Sequence, residues 1–392
     1  MGKDALQEYI EVLKKRYIES TRAEKSRILS EFCATGEYDR KYAIKLLGGK
    51  VPGRTKRSGP RPVYDQAFVY HLVALWRVMR KMCSKRMKAA IPLWLRYYNA
   101  ESLTEEIRVK LKGISASSID RLLKPYKAEF RRGLSATKAG AFLKSQIPIE
   151  LIDKHVDRPG YVEADTVAHC GSSLLGTFAN TLTITDLLSG WTGNRCTLGK
   201  EAPDILDKIK EIRSDLPFRM VGFACDNGSE FINHALVGYM ERNKEGRVKF
   251  VRRRPYKKND AAHVEQKNDA TVRQLIGYSR IESREIVTLL NEIYRDYWNP
   301  YLNFFCPAMK LRQKIRIGGK LRKIYDEPKT PYDRLMNHTA MTDLQKESLQ
   351  TRMEGLDPLR LGQGLEKKLD QLFKLLRDET IKTQLSKPDE VA

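Results

Sequence analysis

Three acidic residues sit where carboxylates can do chemistry. Asp165 lies inside the apolar run 161–167, Asp226 closes a second apolar run at 221–226, and Glu265 follows a basic stretch within 259–268. Two carboxylates at strand ends and a third on a helix can meet at one edge of a sheet although they are distant in sequence. Three such groups repel one another unless a cation lies between them. Hard oxygen ligands of this kind suit Mg²⁺ or Mn²⁺, and the chemistry they predict is metal-dependent phosphoryl transfer on DNA.

The rest of the composition agrees with a polyanionic partner. The 392 residues carry 72 Lys and Arg against 49 Asp and Glu, a formal net charge of +23. A chain so charged repels itself unless it works against an opposite charge, and phosphate neutralisation supplies most non-specific affinity for nucleic acid. No apolar run is long enough to span a bilayer, and the N-terminus has no signal-peptide pattern. A membrane is therefore not the expected partner, and the expected location is the cytoplasm. The six cysteines are scattered without a CxxC pair, which favours reduced thiols over a zinc ribbon or a disulfide framework.

The elements that must position the acids follow in chain order. Residues 1–50 read as helices: Leu6, Tyr9, Ile10, Leu13 and Tyr17 recur at helical spacing, and Ile28, Leu29 and Phe32 precede a break at Gly36. Helix, Gly-containing turn, helix is the outline of a helix-turn-helix, and its second helix would present Arg40, Lys41 and Lys45; an ordinary helical hairpin with a solvated basic face reads equally well. Residues 51–63 form a Pro- and Gly-rich basic linker in which Arg54, Lys56, Arg57 and Arg61 are candidate phosphate or minor-groove contacts. Helical periodicity returns from Asp65 to about Lys127, within a second helical domain expected over 64–135. There the run 111–123 gives a turn, an N-cap serine and a short helix; it predicts a second helix-turn-helix with Ser117 and Arg121 as contacts, plain helix capping being the alternative. Residues 136–158 read as a basic connector.

From Pro159 strand-like runs dominate. They fall at 161–169, 177–186 and 191–198, separated closely enough for hairpins. An amphipathic helix over 202–214, a strand ending at Asp226, a helix from about Ser229 to Asn243, a strand at 248–251 and the helix carrying Glu265 complete the series. Three antiparallel strands followed by alternating helix and strand is the order of a ribonuclease-H-like α/β core. The expected fold is thus a mixed five-stranded sheet with flanking helices, preceded by an all-α helix-turn-helix DNA-binding region.

Residues 159–311 resemble the integrase catalytic core of DDE transposases from bacterial insertion sequences, kin to retroviral integrases. The matching pieces are Glu163-Ala164-Asp165-Thr166, the run Asp186-Leu187-Leu188-Ser189-Gly190-Trp191, Cys225-Asp226-Asn227-Gly228-Ser229-Glu230-Phe231, Arg254-Pro255-Tyr256-Lys257-Lys258-Asn259-Asp260, and Ala262-His263-Val264-Glu265-Gln266-Lys267-Asn268. Their order carries the likeness, and the interval from Asp226 to Glu265 is slightly longer than usual. The resemblance implies that Asp165, Asp226 and Glu265 are the catalytic acids and hold two Mg²⁺ (or Mn²⁺) ions. It also implies double-stranded DNA as partner, both element ends and target, an oligomer of at least two copies on that DNA, and a nucleoid-associated setting in a bacterium. A DNA-binding regulator descended from such a transposase is the alternative reading.

Around the acids, Asn227 and Gly228 make a tight turn whose amides could approach a phosphate, and His263 could help position water or substrate. Arg252, Arg253, Arg254, Lys257 and Lys258 are five basic residues in seven positions and are expected to hold the DNA end, as is Asn268 on the Glu265 helix. Asp186 is expected to form a turn instead of binding metal. After the core, residues 312–392 read as a basic hairpin around Gly318-Gly319 and a helical tail, helical over 341–384, that packs on its own core or serves self-assembly.

Overall fold

The computed structural model describes residues 3–49, 63–127, 156–225, 230–231, 233–241, 246–252, 268–317 and 320–385. The chain divides into two compact units, Met1–Asp65 and Gln66–Ala392. In the first, α1 (Lys3–Glu19), α2 (Arg22–Gly36) and α3 (Arg40–Leu47) enclose Leu13, Ile28, Leu29, Phe32, Ala43 and Leu47. Each boundary has a local cause. Glu24 accepts from both the Thr21 amide (2.9 Å) and hydroxyl (2.8 Å) at the start of α2, and Glu37 leaves α2 in the left-handed conformation (φ 53°). Asp39 then caps α3 by accepting from the amides of Lys41 and Tyr42.

The second unit begins with α4 (Gln66–Val78), α5 (Ser84–Trp94), α6 (Glu105–Gly113) and α7 (Ala116–Lys127). A five-stranded sheet follows, built from β1 (Tyr161–Ala168), β2 (Ala179–Asp186), β3 (Thr192–Leu198), β4 (Gly222–Cys225) and β5 (Lys249–Arg252), in the order β3-β2-β1-β4-β5. β1, β2 and β3 are mutually antiparallel, whereas β4 and β5 run parallel to β1. This is the mixed sheet expected of a ribonuclease-H-like core. α8 (Ala202–Asp215) supplies the connection from β3 to β4 and buries Ile205, Ile209 and Ile212. α9 (His234–Glu241) starts later than the sequence predicted. The reason is Asn233, which accepts from the Leu236 amide at 2.9 Å and so caps the helix at that point.

The exposed edge of the sheet is closed by side chains. α10 (Arg284–Glu292), a π-helical turn (Ile293–Trp298) and α11 (Asn299–Phe305) form one continuous rod beside β3. From it, three asparagines each pair both backbone groups of one β3 residue. Asn303 accepts from Thr192 N–H and donates to its C=O, both at 2.8 Å; Asn299 does the same for Asn194 at 3.2 and 3.4 Å; Asn291 serves Cys196 at 2.7 and 2.9 Å. Asn299 and Asn303 share a face at i,i+4. Asn291 and Asn299, eight residues apart, would drift off one face of a regular 3.6-residue helix; the π turn between them absorbs the surplus residue. An edge that could recruit another strand is thereby satisfied.

The helical segment α4–α7 and the sheet belong to the same unit. Trp94 Nε1 donates to Phe305 O at 3.1 Å, Tyr301 OH to Val78 O at 2.9 Å, and Arg86 Nε to Pro307 O at 2.6 Å. Beyond α11 come β6 (Leu311–Ile317) and β7 (Lys320–Tyr325), which pair only with each other, then α12 (Pro331–Met336), α13 (Asp343–Glu354) and α14 (Pro358–Leu385). The single helical stretch expected over 341–384 is broken at 355–357, where Asp357 caps α14 through the amides of Leu359 and Arg360. α14 packs on its own core: Lys368 pairs with Glu292 at 2.6 Å, and Gly364 lies so close to Tyr297 that a Cβ there would stand 2.3 Å from the ring. Among the described residues no helix is long and apolar enough to cross a membrane, and none of the six cysteines is in a disulfide.

Candidate active site

Asp165 lies midway along β1, the central strand, opposite Thr183 of β2. Its Oδ1 accepts from the Thr166 amide at 2.9 Å, and its Oδ2 accepts from Asn268 Nδ2 at 2.6 Å. Asn268 is 8% exposed and its Oδ1 has no partner. The amide thus steers one carboxylate oxygen and leaves a buried acceptor beside it. Glu163, also buried, shares the Asp165 face of the strand. Arg273 donates to Ala168 O at 2.9 Å, and Trp298 Nε1 donates to Thr271 O at 2.7 Å. The helical turns that follow Asn268, a π-helical Asp269–Arg273 and Gln274–Ile276, are therefore pinned to β1 and to the rod.

On the opposite face of β1, Thr166 Oγ1 donates to Glu230 Oε1 at 3.0 Å, and Lys200 Nζ reaches the same oxygen at 3.2 Å. Glu230 is 7% exposed and links β1, the chain leaving β3 and the turn that follows β4. β4 runs parallel to β1 with Ala224 opposite Glu163, so its last residue, Cys225, reaches the part of the sheet where Asp165 lies. Asp226 is next in sequence.

Of the acids expected to act together, Asp165 is within the described residues; Asp226 and Glu265 lie outside them, as do Asn227, Gly228 and His263. Among the described residues no three His, Cys, Asp or Glu side chains form a metal-sized group. What the structure does describe, a carboxylate with an unpaired amide oxygen beside it, is an all-oxygen donor set and fits a hard divalent cation.

Asp186 makes the turn the sequence implied. Fully buried, it accepts from Gly160 N (2.8 Å), Ser189 N (2.7 Å) and Ser189 Oγ (2.6 Å). Burial pushes its carboxyl above the ordinary range, against the pull of those donors. At the end of β1, His169 is buried, its Nε2 2.8 Å from Thr181 Oγ1, which in turn lies 3.1 Å from Tyr294 OH. Desolvation, aided by Arg273, lowers the imidazole to about 3, so it is neutral.

The expected DNA contacts are placed as follows. Arg40 is exposed and donates to Ser30 Oγ and Ser26 Oγ of α2, both at 3.1 Å. Lys41 and Lys45 are exposed on α3 beside Tyr42 and Ile44, themselves 45% and 44% exposed. Ser117 and Arg121 are exposed on α7, where the Ser118 amide is capped by Ser115 Oγ at 3.1 Å. Asn268, expected to face DNA, is instead turned onto Asp165. Arg252 ends β5. Arg54, Lys56, Arg57, Arg61, Arg253, Arg254, Lys257 and Lys258 lie outside the described residues. Sequence reasoning passed over Glu230, Lys200 and the pairing of Asn268 with Asp165. For the last a signal existed: Asn268 is three residues from Glu265, which on a helix gives both the same face.

The strand order, the strand directions and an acid at the centre of β1 define the class: an α/β protein with an integrase-like, ribonuclease-H-like sheet. No family model matches the chain. It is 37% identical over 339 residues to the uncharacterized protein y4rM of Sinorhizobium fredii (strain NBRC 101917 / NGR234), covering 83% of this chain and 94% of that protein. The chain belongs to the same family as y4rM. Among solved structures it is similar to the HTLV-2 integrase catalytic core domain in complex with magnesium, at 13% identity and a TM-score of 0.28, covering 38% of this chain and 90% of that one. It is also similar to the simian T-cell lymphotropic virus intasome in complex with PP2A regulatory subunit B56 gamma, at 12% identity and a TM-score of 0.26, covering 48% and 59%. These superpositions are loose, and the fold assignment rests on the strand order itself.

Proposed function

We propose that the protein is a DDE-type DNA transposase that binds the ends of its element, cleaves them to expose 3′-hydroxyls and joins those to target DNA. The observation that carries this reading is Asp165 on the central strand of a ribonuclease-H-like sheet, oriented by Asn268, with β4 ending at Cys225 one residue before Asp226. Asp165, Asp226 and Glu265 would hold Mg²⁺ or Mn²⁺, two ions per site. When bound, the ions activate the attacking oxygen and offset charge on the phosphate in flight. The chain's own groups orient and bind. Asn268 fixes the Asp165 carboxylate, Glu230 fixes Thr166 beside it, and the basic residues from Arg252 to Lys258 hold the strand end.

In the first step a water oxygen forms a bond to phosphorus as the bond to the 3′-oxygen of the element breaks. In the second, that 3′-oxygen attacks a target phosphodiester and displaces a target 3′-oxygen. No protein nucleophile takes part. α2–α3 and α6–α7 are read as helix-turn-helix modules. The exposed α3 face of Lys41, Tyr42, Ile44 and Lys45, and the exposed Ser117 and Arg121 of α7, support that reading, because each offers cations and small or apolar groups to a groove. Joining two ends requires at least two copies of the chain.

The test is an end-cleavage and strand-joining assay with Mg²⁺, on duplexes taken from the DNA on either side of the gene. Asp165→Asn should abolish joining while duplex binding stays intact. Joining by that variant would refute the assignment, and binding without joining by the unaltered protein would favour a DNA-binding regulator.

A further inference from the structure

β6 and β7 form a two-stranded ribbon outside the main sheet. The register pairs Lys314 with Lys323, Ile315 with Arg322 and Arg316 with Leu321. Residues 310–325 contain Lys310, Arg312, Lys314, Arg316, Lys320, Arg322 and Lys323 and no acid. Arg312, Arg316, Arg322 and Lys323 are exposed, and none of the four has an ion-pair partner among the described residues. Directly opposed like charges destabilise a strand pair, and an isolated hairpin is marginal in water. On its own terms the ribbon is poorly designed.

Its base, by contrast, is firmly held. Lys310 N donates to Asp326 Oδ1 at 2.6 Å, Asp326 N donates back to Lys310 O at 2.9 Å, and Arg334 pairs with Asp326 Oδ2 at 2.7 Å. Lys310 Nζ donates to the carbonyls of Leu187 and Leu188, in the turn between β2 and β3. Arg334 absorbs the charge of Asp326, so the nearest acid leaves the ribbon's cations uncompensated. A rigid root carrying an arm of unbalanced positive charge fits a polyanion, and a two-stranded ribbon has the width of a major groove.

We propose that the β6–β7 ribbon is a DNA-docking arm, whose exposed cations Arg312, Arg316, Arg322 and Lys323 meet the phosphates of a duplex. This rests on the DNA reading above but assigns residues other than the acids and those of both helical modules. The contact is to backbone and so independent of sequence.

The test measures affinity for a random-sequence duplex by fluorescence anisotropy in EDTA, over a range of salt, so that no catalysis intervenes. The ribbon variant is Arg312→Gln, Arg316→Gln, Arg322→Gln and Lys323→Gln combined. The control removes four exposed cations of α14 by Arg360→Gln, Lys367→Gln, Lys374→Gln and Arg377→Gln, an equal change in net charge. Each phosphate contact contributes about 0.9 to the slope of log K against log salt. The ribbon variant should therefore lose about 3 to 4 from that slope and the control less than about 1. Equal slopes for the two variants would overturn the arm and leave the DNA reading standing; failure of the unaltered protein to bind duplex would sink both. As a check independent of charge removal, Arg316→Cys carrying a photo-crosslinker should label duplex DNA, and an absence of label would overturn the proposal.

Discussion

Replacing Asn303 with leucine removes one rung of the amide ladder that closes β3, while keeping the number and branching of the side-chain heavy atoms. Asn303 is 2% exposed and pairs both the N–H and the C=O of Thr192 at 2.8 Å. Leucine leaves two buried backbone groups without partners, each costing about 1–3 kcal/mol. Its own burial returns part of that, so the expected net loss is about 2–4 kcal/mol. Urea unfolding followed by tryptophan fluorescence should report it, since Trp191 is buried next to Thr192 in sequence. The midpoint should fall with an unchanged slope. Asn291→Leu should behave alike, and the two losses should add, because the rungs serve different strand residues. A loss below about 0.5 kcal/mol for Asn303→Leu would refute the reasoning, for it would mean that the edge is satisfied without the side chain.

Asn268→Ala removes a hydrogen bond to a carboxylate worth about 1.5–3 kcal/mol. In the joining assay it should slow turnover by about ten- to a hundredfold and leave duplex affinity unchanged; weakened affinity with normal turnover would make Asn268 a DNA contact instead. His169 is held neutral, its imidazole lowered from 6.5 to about 3, whereas the unfolded chain takes up the proton near 6.5. Its contribution to stability is therefore complete above pH 6.5 and lost progressively as pH falls towards 3. His169→Gln should flatten the acid limb of a plot of stability against pH in that window, and an unchanged limb would contradict the burial argument. Gly364→Ala places a methyl group against Tyr297; it should cost about 1–3 kcal/mol and speed proteolysis of α14, and adding Tyr297→Ala should recover most of the loss.

Much of the sheet was legible because period-2 runs and short turns specify hairpins. β1, β2 and β3 fall within about two residues of their expected bounds, and Asp186 announced its turn through the Leu187–Gly190 sequence beside it. The places where the reading slipped are those decided by tertiary partners. Asn233 and Ser229 are both competent caps, and nothing local says that the helix waits for the later one. Asn268 looked like a surface polar group on a basic helix until the fold brought β1 against it. The asparagines of the rod follow no single helical period, because a π turn lies between two of them; a periodicity search reads that spacing as noise. The basic hairpin was visible as a pattern, but that its root is clamped to the β2–β3 turn by Lys310 depends on contacts more than a hundred residues apart.

The central claim is that Asp165 shares a hard divalent cation with Asp226 and Glu265. Anomalous diffraction from crystals grown with Mn²⁺ tests it without any assay of activity. The account predicts a manganese peak about 2.0–2.2 Å from an Asp165 carboxylate oxygen, with oxygens of Asp226 and Glu265 in the same coordination sphere, and its disappearance in Asp165→Asn. A peak bound elsewhere, or one at this site that survives Asp165→Asn, would contradict it.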